Sequence, residues 1–251
     1  MNRFIGLTTA VLVAAAAGTA LADGGVRINE GAFGYTGGIG IGGGAFTATT
    51  LNSGYIGEFS GPGSSANSFQ TFCLQLNENV AFGGNYTAVI STFTVLEGLS
   101  NYDPSGPTAP TSTGRDYLSS TTALLYSTFR NGGNFGGFGD GQSTTDLTLA
   151  LQLAIWFSEG ELFDGTTSFP LYANYTGNTL ALNLFAWASN PLHNLGSLWD
   201  VRVLQLFNSD GSNAQDILTI VPLPPAAYAG LGTLAGVIGM GYIRRRRHAN
   251  A

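Results

Sequence analysis

The sequence predicts an α+β fold: a β-sandwich or barrel-like sheet with a few packed helices, set between an N-terminal signal peptide and a C-terminal transmembrane sorting helix. Three observations predict it. Runs of β-branched and aromatic residues between glycine or polar turns occur early and late in the body, the pattern of strands joined by turns. Between them lie segments whose apolar residues return at helical spacing. The body is flanked by two uncharged apolar stretches with arginine beside them, a composition that suits membrane-directed segments better than a core. At roughly 150 residues per domain, 251 residues allow one domain or two small ones, and no internal repeat is evident.

Residues 1–22 read as a signal peptide. Arg3 is the charged start, Ile5 to Ala17 the apolar run, and Ala20-Leu21-Ala22 a small-residue cleavage site, so the mature chain starts near Asp23. The body, residues 23–220, opens with a Gly/Ser/Thr-rich half. There Gly25-Val26-Arg27-Ile28 and Gly44-Ala45-Phe46-Thr47 suggest short strands joined by glycine turns. Ser64 to Ser68 reads as a polar loop, Phe69 to Leu76 and Tyr86 to Leu96 as strands, and Asp103 to Thr113 as a Pro/Ser/Thr loop. Arg115 to Arg130 carries Tyr117, Leu118, Leu124, Leu125 and Phe129 at roughly helical spacing, and a glycine-rich loop follows from Asn131 to Gly141.

Asp146 to Phe157 is ambiguous by period, because Leu147, Leu149, Leu151 and Leu153 alternate as in a strand. Its length, the caps available at Thr145 or Asp146, and its Leu, Ala and Gln content favour a helix. Leu180 to Ser189 reads as another helix, and Trp199 to Phe207 and Ile217 to Val221 as closing strands.

Residues 221–251 form the tail. Ala226 to Ile243 carries no charge and reaches the lower limit of length for a transmembrane helix, and Arg244, Arg245, Arg246 and Arg247 follow it at once. The positive-inside rule keeps that run in the cytoplasm and puts the body outside the inner membrane. Val221-Pro222-Leu223-Pro224-Pro225, a short apolar helix and a terminal arginine cluster together resemble the PEP-CTERM sorting signal, in a VPLPA-like variant with Leu223 where the usual Glu stands and Pro225 added. The resemblance covers about thirty residues. It implies an exosortase-type sorting protease as partner and delivery to the cell surface or extracellular matrix. A plain tail anchor is the alternative.

Composition excludes several classes. Hydrophobic residues are 44% and charged residues 10%, which fits neither a disordered tail nor a nucleic-acid binder. From Asp23 to Pro225 there are four arginines against all 15 acids, a net of −11, and a phosphate backbone would be repelled. One cysteine rules out an intrachain disulfide and a Cys/His zinc cluster, and nothing calls for a cofactor or metal.

That cysteine and one glutamine carry the functional expectation. A helix over Asp146 to Phe157 is apolar nearly all round and therefore buried, and Gln152 is its only strongly polar side chain from Leu149 on. A buried amide without partners costs about 1–3 kcal/mol, so Gln152 needs a reason to be there. One reason is a hydrogen bond to a neighbouring backbone group. The other is covalent: Cys73 consumes the amide, giving a thioester and releasing ammonia. An exported free thiol is open to oxidation or to pairing with another chain, and an acyl bond removes that liability while storing an electrophile. A buried, inert cysteine is the plainer alternative.

Phe72-Cys73 and Leu151-Gln152-Leu153-Ala154-Ile155-Trp156 resemble the thioester domains of bacterial surface adhesins, whose hallmark is an aromatic-Cys segment followed by Φ-Gln-x-Ala-Φ-Trp, with Φ apolar. The second motif matches at every position, and the resemblance spans Phe69 to Phe157. It implies Cys73 as thiol partner, Gln152 as acyl donor, Phe72 and Ala154 as supporting residues, and Trp156 packed beside the bond to limit water. The implied partner is an amine-bearing surface or matrix molecule, attached once as an amide, so the protein is not an enzyme.

The chain has no lysine. A lysine-free protein cannot cross-link to its own copies through an ε-amine and cannot form Lys-Asn isopeptide bonds, although compositional bias would produce the same absence. The remaining constellations are weaker. A cysteine hydrolase would need His193 as base. The acidic pairs Glu159/Glu161 and Asp210/Asp216 lack a calcium-loop signature and read as solvated faces. Tyr172, Tyr175, Trp187 and Trp199 could line a glycan groove but suit core packing better. A structural matrix or biofilm protein without a reactive thioester is the alternative function.

Overall fold

Alternation in the first half is borne out as two long antiparallel strands. In β1 (Gly24–Tyr35) Val26 and Ile28 are buried while Arg27 between them is exposed, and in β2 (Gly44–Thr50) Ala45, Phe46 and Ala48 are buried. The computed structural model describes residues 24–35, 44–51, 56–59, 61–76, 79–94, 117–162 and 170–221. The expected signal peptide and the tail beyond Val221, with Pro222, Pro224, the helix expected over 226–243 and Arg244 to Arg247, lie outside the described residues. So does the Asp103–Thr113 loop. No helix among the described residues is long and apolar enough to cross a membrane.

The remaining strands are β3 (Ser68–Phe72), β4 (Gly84–Ser91), β5 (Val201–Phe207) and β6 (Ile217–Ile220). They form one six-stranded sheet in the order β3-β2-β1-β4-β5-β6, with every neighbouring pair antiparallel. β3 and β6 are the ends of that order, yet every residue of both is buried. The explanation is closure. Cys73 bridges Ile217, Leu74 N–H donates to the Asp216 carbonyl at 2.9 Å, and Thr71 Oγ1 donates to the Leu218 carbonyl at 2.6 Å. The sheet therefore curls until its two edges meet, which protects edges that would otherwise be open to foreign strands. Of the two architectures expected, this is the barrel-like one.

Among the described residues, four helices lie in the crossover between β4 and β5: α1 (Ser120–Arg130), α2 (Thr144–Ser158), α3 (Pro170–Gly177) and α4 (Thr179–Ser189). Side-chain caps start three of them. Ser119 accepts from Thr122 N–H, Ser143 from Asp146 N–H, and Asn178 from Ala181 N–H. The cap of α2 is thus Ser143, not Thr145 or Asp146; Asp146 is its partner three residues on, its carboxylate accepting from the Ser143 hydroxyl at 2.6 Å. Apolar on all sides, α2 is buried from Ala150 to Trp156 and packs on α1, α3, α4, β1 and β2.

Several boundaries differ from expectation. The strand over Phe69 to Leu76 stops at Phe72, because the backbone beyond it bonds side chains and the lead-in to β6 instead of a ladder. The helix expected from Arg115 starts at Ser120, where the Ser119 cap sets it, and Tyr117 pairs with Phe93 instead. The strand expected to Leu96 ends at Ser91. The short helix α3 was not expected; Pro170 opens it, in keeping with proline's tolerance in a first helical turn.

Candidate functional site

At the closure between β3 and β6 the chain places Cys73 one residue beyond β3, facing the middle of α2. Phe72, the last residue of β3, is buried edge-on against Tyr126 and Phe129 of α1, with ring centroids 6.4 and 5.1 Å apart. These contacts fix the backbone on which Cys73 sits. Tyr126 adds a polar tie: its hydroxyl lies 2.9 Å from the Gln70 carbonyl and 3.2 Å from that of Leu218, reaching both edges of the sheet. Arg130 Nη1 donates to that hydroxyl at 2.8 Å, and its guanidinium stands over the Phe69 ring.

Gln152 turns its amide onto Cys73. Cys73 N–H donates to Gln152 Oε1 at 3.1 Å, and Gln152 Nε2 donates to the Cys73 carbonyl at 2.9 Å. Both residues are fully enclosed. Oε1 and Nε2 flank Cδ, so the carboxamide carbon is held against the residue that bears the thiol. Burial pushes the Cys73 thiol well above its ordinary range, and a backbone hydrogen bond only partly opposes this. Such burial disfavours the thiolate, the form that oxidants attack.

Ala154 and Trp156 are buried in the same core, and Trp156 Nε1 has no hydrogen-bond partner among the described residues. Val221 is buried too, its N–H donating to the Asp200 carbonyl at 2.7 Å. His193 is not brought into this environment. It lies exposed after α4, stacked on Trp187, with Nδ1 3.0 Å from the Trp187 carbonyl oxygen.

The acidic pairs do not form solvated faces. Glu159, Glu161 and Asp216 are buried; only Asp210 is exposed, in a turn where hydrogen bonds from Ser212 lower its pKa. Glu159 accepts from the Ser119 N–H and hydroxyl, at 3.3 and 2.7 Å. Desolvation raises its pKa, against opposing bonds from Thr122 and Ser119. Glu161 accepts from Leu76 N–H at 3.1 Å. No group of acids, His or Cys among the described residues could hold a metal ion. Of the aromatics considered for a glycan groove, Tyr175 stacks on Phe157 and Trp187 packs against Phe135, whereas Trp199 is half-exposed. The side chain of Tyr172 lies outside the described part.

Sequence reasoning put Glu161 on a solvated face and passed over Gln215 and Tyr126. The usable signal for Glu161 was Gly160, a helix-ending glycine that turns the next residue back toward the core. A separate cleft of about 520 Å³ opens beside Leu149 and Leu153 of α2, rimmed by Asp146, Asn174 and Asn178.

No protein-family model matches the chain, and no curated protein matches it. Among solved structures, the N-terminal domain of the Streptococcus pyogenes pilus tip adhesin Cpa is similar at 14% identity and a TM-score of 0.37, over 71% of this chain and 84% of that one. At that distance, function has to be argued from the site.

Proposed function

We propose that this chain is exported and sorted to the cell surface or extracellular matrix, where a Cys73–Gln152 thioester attaches it once to an amine-bearing molecule. The observation that carries the reading is the double hydrogen bond between the Gln152 amide and the backbone of Cys73. A buried amide can be satisfied by any donor and acceptor nearby; this one takes both from the one residue in the chain that carries a sulfur nucleophile.

The chemistry balances without a co-reactant. Sγ bonds to Cδ of Gln152, the Cδ–Nε2 bond breaks, and the thiol proton leaves with the nitrogen as ammonia. A primary amine then attacks Cδ, the C–S bond breaks, and the sulfur takes back a proton. Each molecule reacts once, which is attachment and not turnover. Enclosure of both residues keeps water from the acyl carbon, as a stored electrophile needs. The export and sorting parts of the proposal rest on the signal-peptide and PEP-CTERM-like segments, with an exosortase-type protease as the processing partner.

Intact mass tests the reading. The purified chain is expected to be lighter by one ammonia than the mass calculated from its mapped termini. Methylamine should convert it to the amide, and Cys73→Ala should abolish both effects. A full calculated mass, with one thiol titrating per chain after denaturation, would leave the structural matrix protein as the function.

A further inference from the structure

The segment from Cys73 to Leu76 has left the ladder with β2, yet its backbone is held at five points. Gln152 takes the N–H and the carbonyl of Cys73. The Asp216 carbonyl accepts from Leu74 N–H, Gln215 Nε2 donates to the Gln75 carbonyl, and Glu161 Oε2 accepts from Leu76 N–H. The segment is clamped, with α2 and its C-terminal turn on one side and the lead-in to β6 on the other.

Local backbone geometry aims Glu161. Gly160 takes φ = 78°, where a glycine is at home, and the turn closes with Gly160 N–H on the Phe157 carbonyl at 3.2 Å and Glu161 N–H on that of Trp156 at 2.8 Å. This folds Glu161 back beneath the helix, where it is 1% exposed. Enclosing a carboxyl group is costly unless its bonds compensate. An apolar residue would fill the space more cheaply, so what Glu161 holds matters.

The thioester step raises the importance of that bond. Nε2 of Gln152 leaves as ammonia, and with it goes the donor to the Cys73 carbonyl. After the reaction, the Glu161 bond to Leu76 N–H is a polar tie from the α2 side that the chemistry has not consumed. We infer that Glu161 is a positioning residue for the Cys73–Gln152 reaction: through Leu76 N–H it holds the Cys73 segment against α2, so that sulfur and carboxamide meet, and it touches neither reacting atom. The inference rests on the thioester reading.

The test compares Glu161→Ala, Glu161→Gln and Glu159→Ala with the unaltered chain, following the ammonia-deficient fraction over time, its rate of reaction with methylamine, and the melting temperature. Misplacement of reacting groups by about 1 Å costs about 100-fold in rate, so Glu161→Ala should form the thioester about 100-fold more slowly. Glu161→Gln keeps an acceptor for Leu76 N–H and should restore formation. Glu159→Ala removes an equally buried carboxyl that bonds α1, and should lower the melting temperature while leaving the thioester fraction intact. If Glu161→Ala does not fold, Glu161→Asp, whose shorter side chain draws the carboxyl away from Leu76 N–H, takes its place with slowed formation expected. Full, prompt formation in the variant without the tie would overturn the inference, as would an equal loss in Glu159→Ala. If the unaltered chain has its full mass, the thioester reading itself fails. A light unaltered chain with an equally light Glu161→Ala removes only the positioning role.

Discussion

Two glutamine amides are buried along the course of β3 and just beyond it, and they are bonded differently. At its middle, Gln70 spreads its bonds over three segments: Oε1 accepts from Ala32 N–H in β1, and Nε2 reaches Thr47 Oγ1 in β2 and the Gly63 carbonyl in the preceding loop. Beyond its end, Gln152 sets its amide oxygen on the Cys73 N–H and its amide nitrogen on the Cys73 carbonyl. The first arrangement is a staple between strands. The second holds a carboxamide on one residue, and that residue carries a thiol. Burial of an amide therefore does not mark a reactive site; the identity of its partner does.

The largest effect expected from breaking this comparison is at Gln152. Gln152→Ala should abolish the ammonia-deficient mass and leave Cys73 as a thiol that reagents reach only after denaturation. It should also destabilise the fold by about 3–5 kcal/mol, since it leaves a cavity and two enclosed backbone groups without their partner. Intact mass, thiol titration and denaturant melts check the three parts. A Gln152→Ala chain that stayed light by one ammonia would place the acyl group elsewhere.

Next in size is the tie that joins the two edges of the sheet. Tyr126→Phe keeps the ring against Phe72 and removes the hydroxyl that reaches the Gln70 and Leu218 carbonyls and accepts from Arg130. A loss of about 1–3 kcal/mol is expected in denaturant melts, the cost of enclosed polar groups left with fewer bonds. Because Phe72 keeps its packing, the thioester fraction should not change. A lower fraction would mean that closure of the sheet is set by the hydroxyl and not by the aromatic contacts.

Gln70→Ala should cost less, about 1 kcal/mol, because its partners Ala32 and Thr47 are partly open to water, which can replace the amide. The mass deficit should remain. A loss of the deficit here would erase the distinction between the two glutamines.

Much of this site was legible in the sequence, for identifiable reasons. The run from Leu149 to Phe157 is so apolar that a single glutamine in it had to be buried and bonded, and the structure bears that out. Alternation located β1 and β2, and helical spacing located α1, because period survives whatever the tertiary context. The strand through Leu76 was misread because Leu74 and Leu76 keep the alternation of a strand while their N–H groups bond the Asp216 carbonyl and the Glu161 carboxyl. Glu161 lies 85 residues from the Leu76 it holds, and no local pattern reports a contact of that range. The buried acids were read as solvated for the same reason: their partners at Ser119 and Leu76 come from elsewhere in the chain.

The smallest expected effect separates the two acids at the end of α2, and it depends on pH. Desolvation raises the pKa of Glu159 in the folded chain, and the bonds from Thr122 and Ser119 only partly offset it. The fold thus favours the protonated form. Stability from this group is fully present below the unfolded-state value and is lost as pH rises through the raised folded value, opposite to a carboxylate held by a cation. Glu159→Gln carries the neutral form at every pH. Its melting temperature relative to the unaltered chain should therefore be lowest in acid and climb toward neutrality, levelling off once the folded-state carboxyl has ionised. A relative stability that falls as pH rises would show that Ser119 and Thr122 outweigh burial and hold a carboxylate. The Ser119 contact would then be a charge-assisted cap on α1, and the contrast with Glu161 would have to be drawn from what each holds rather than from its ionisation.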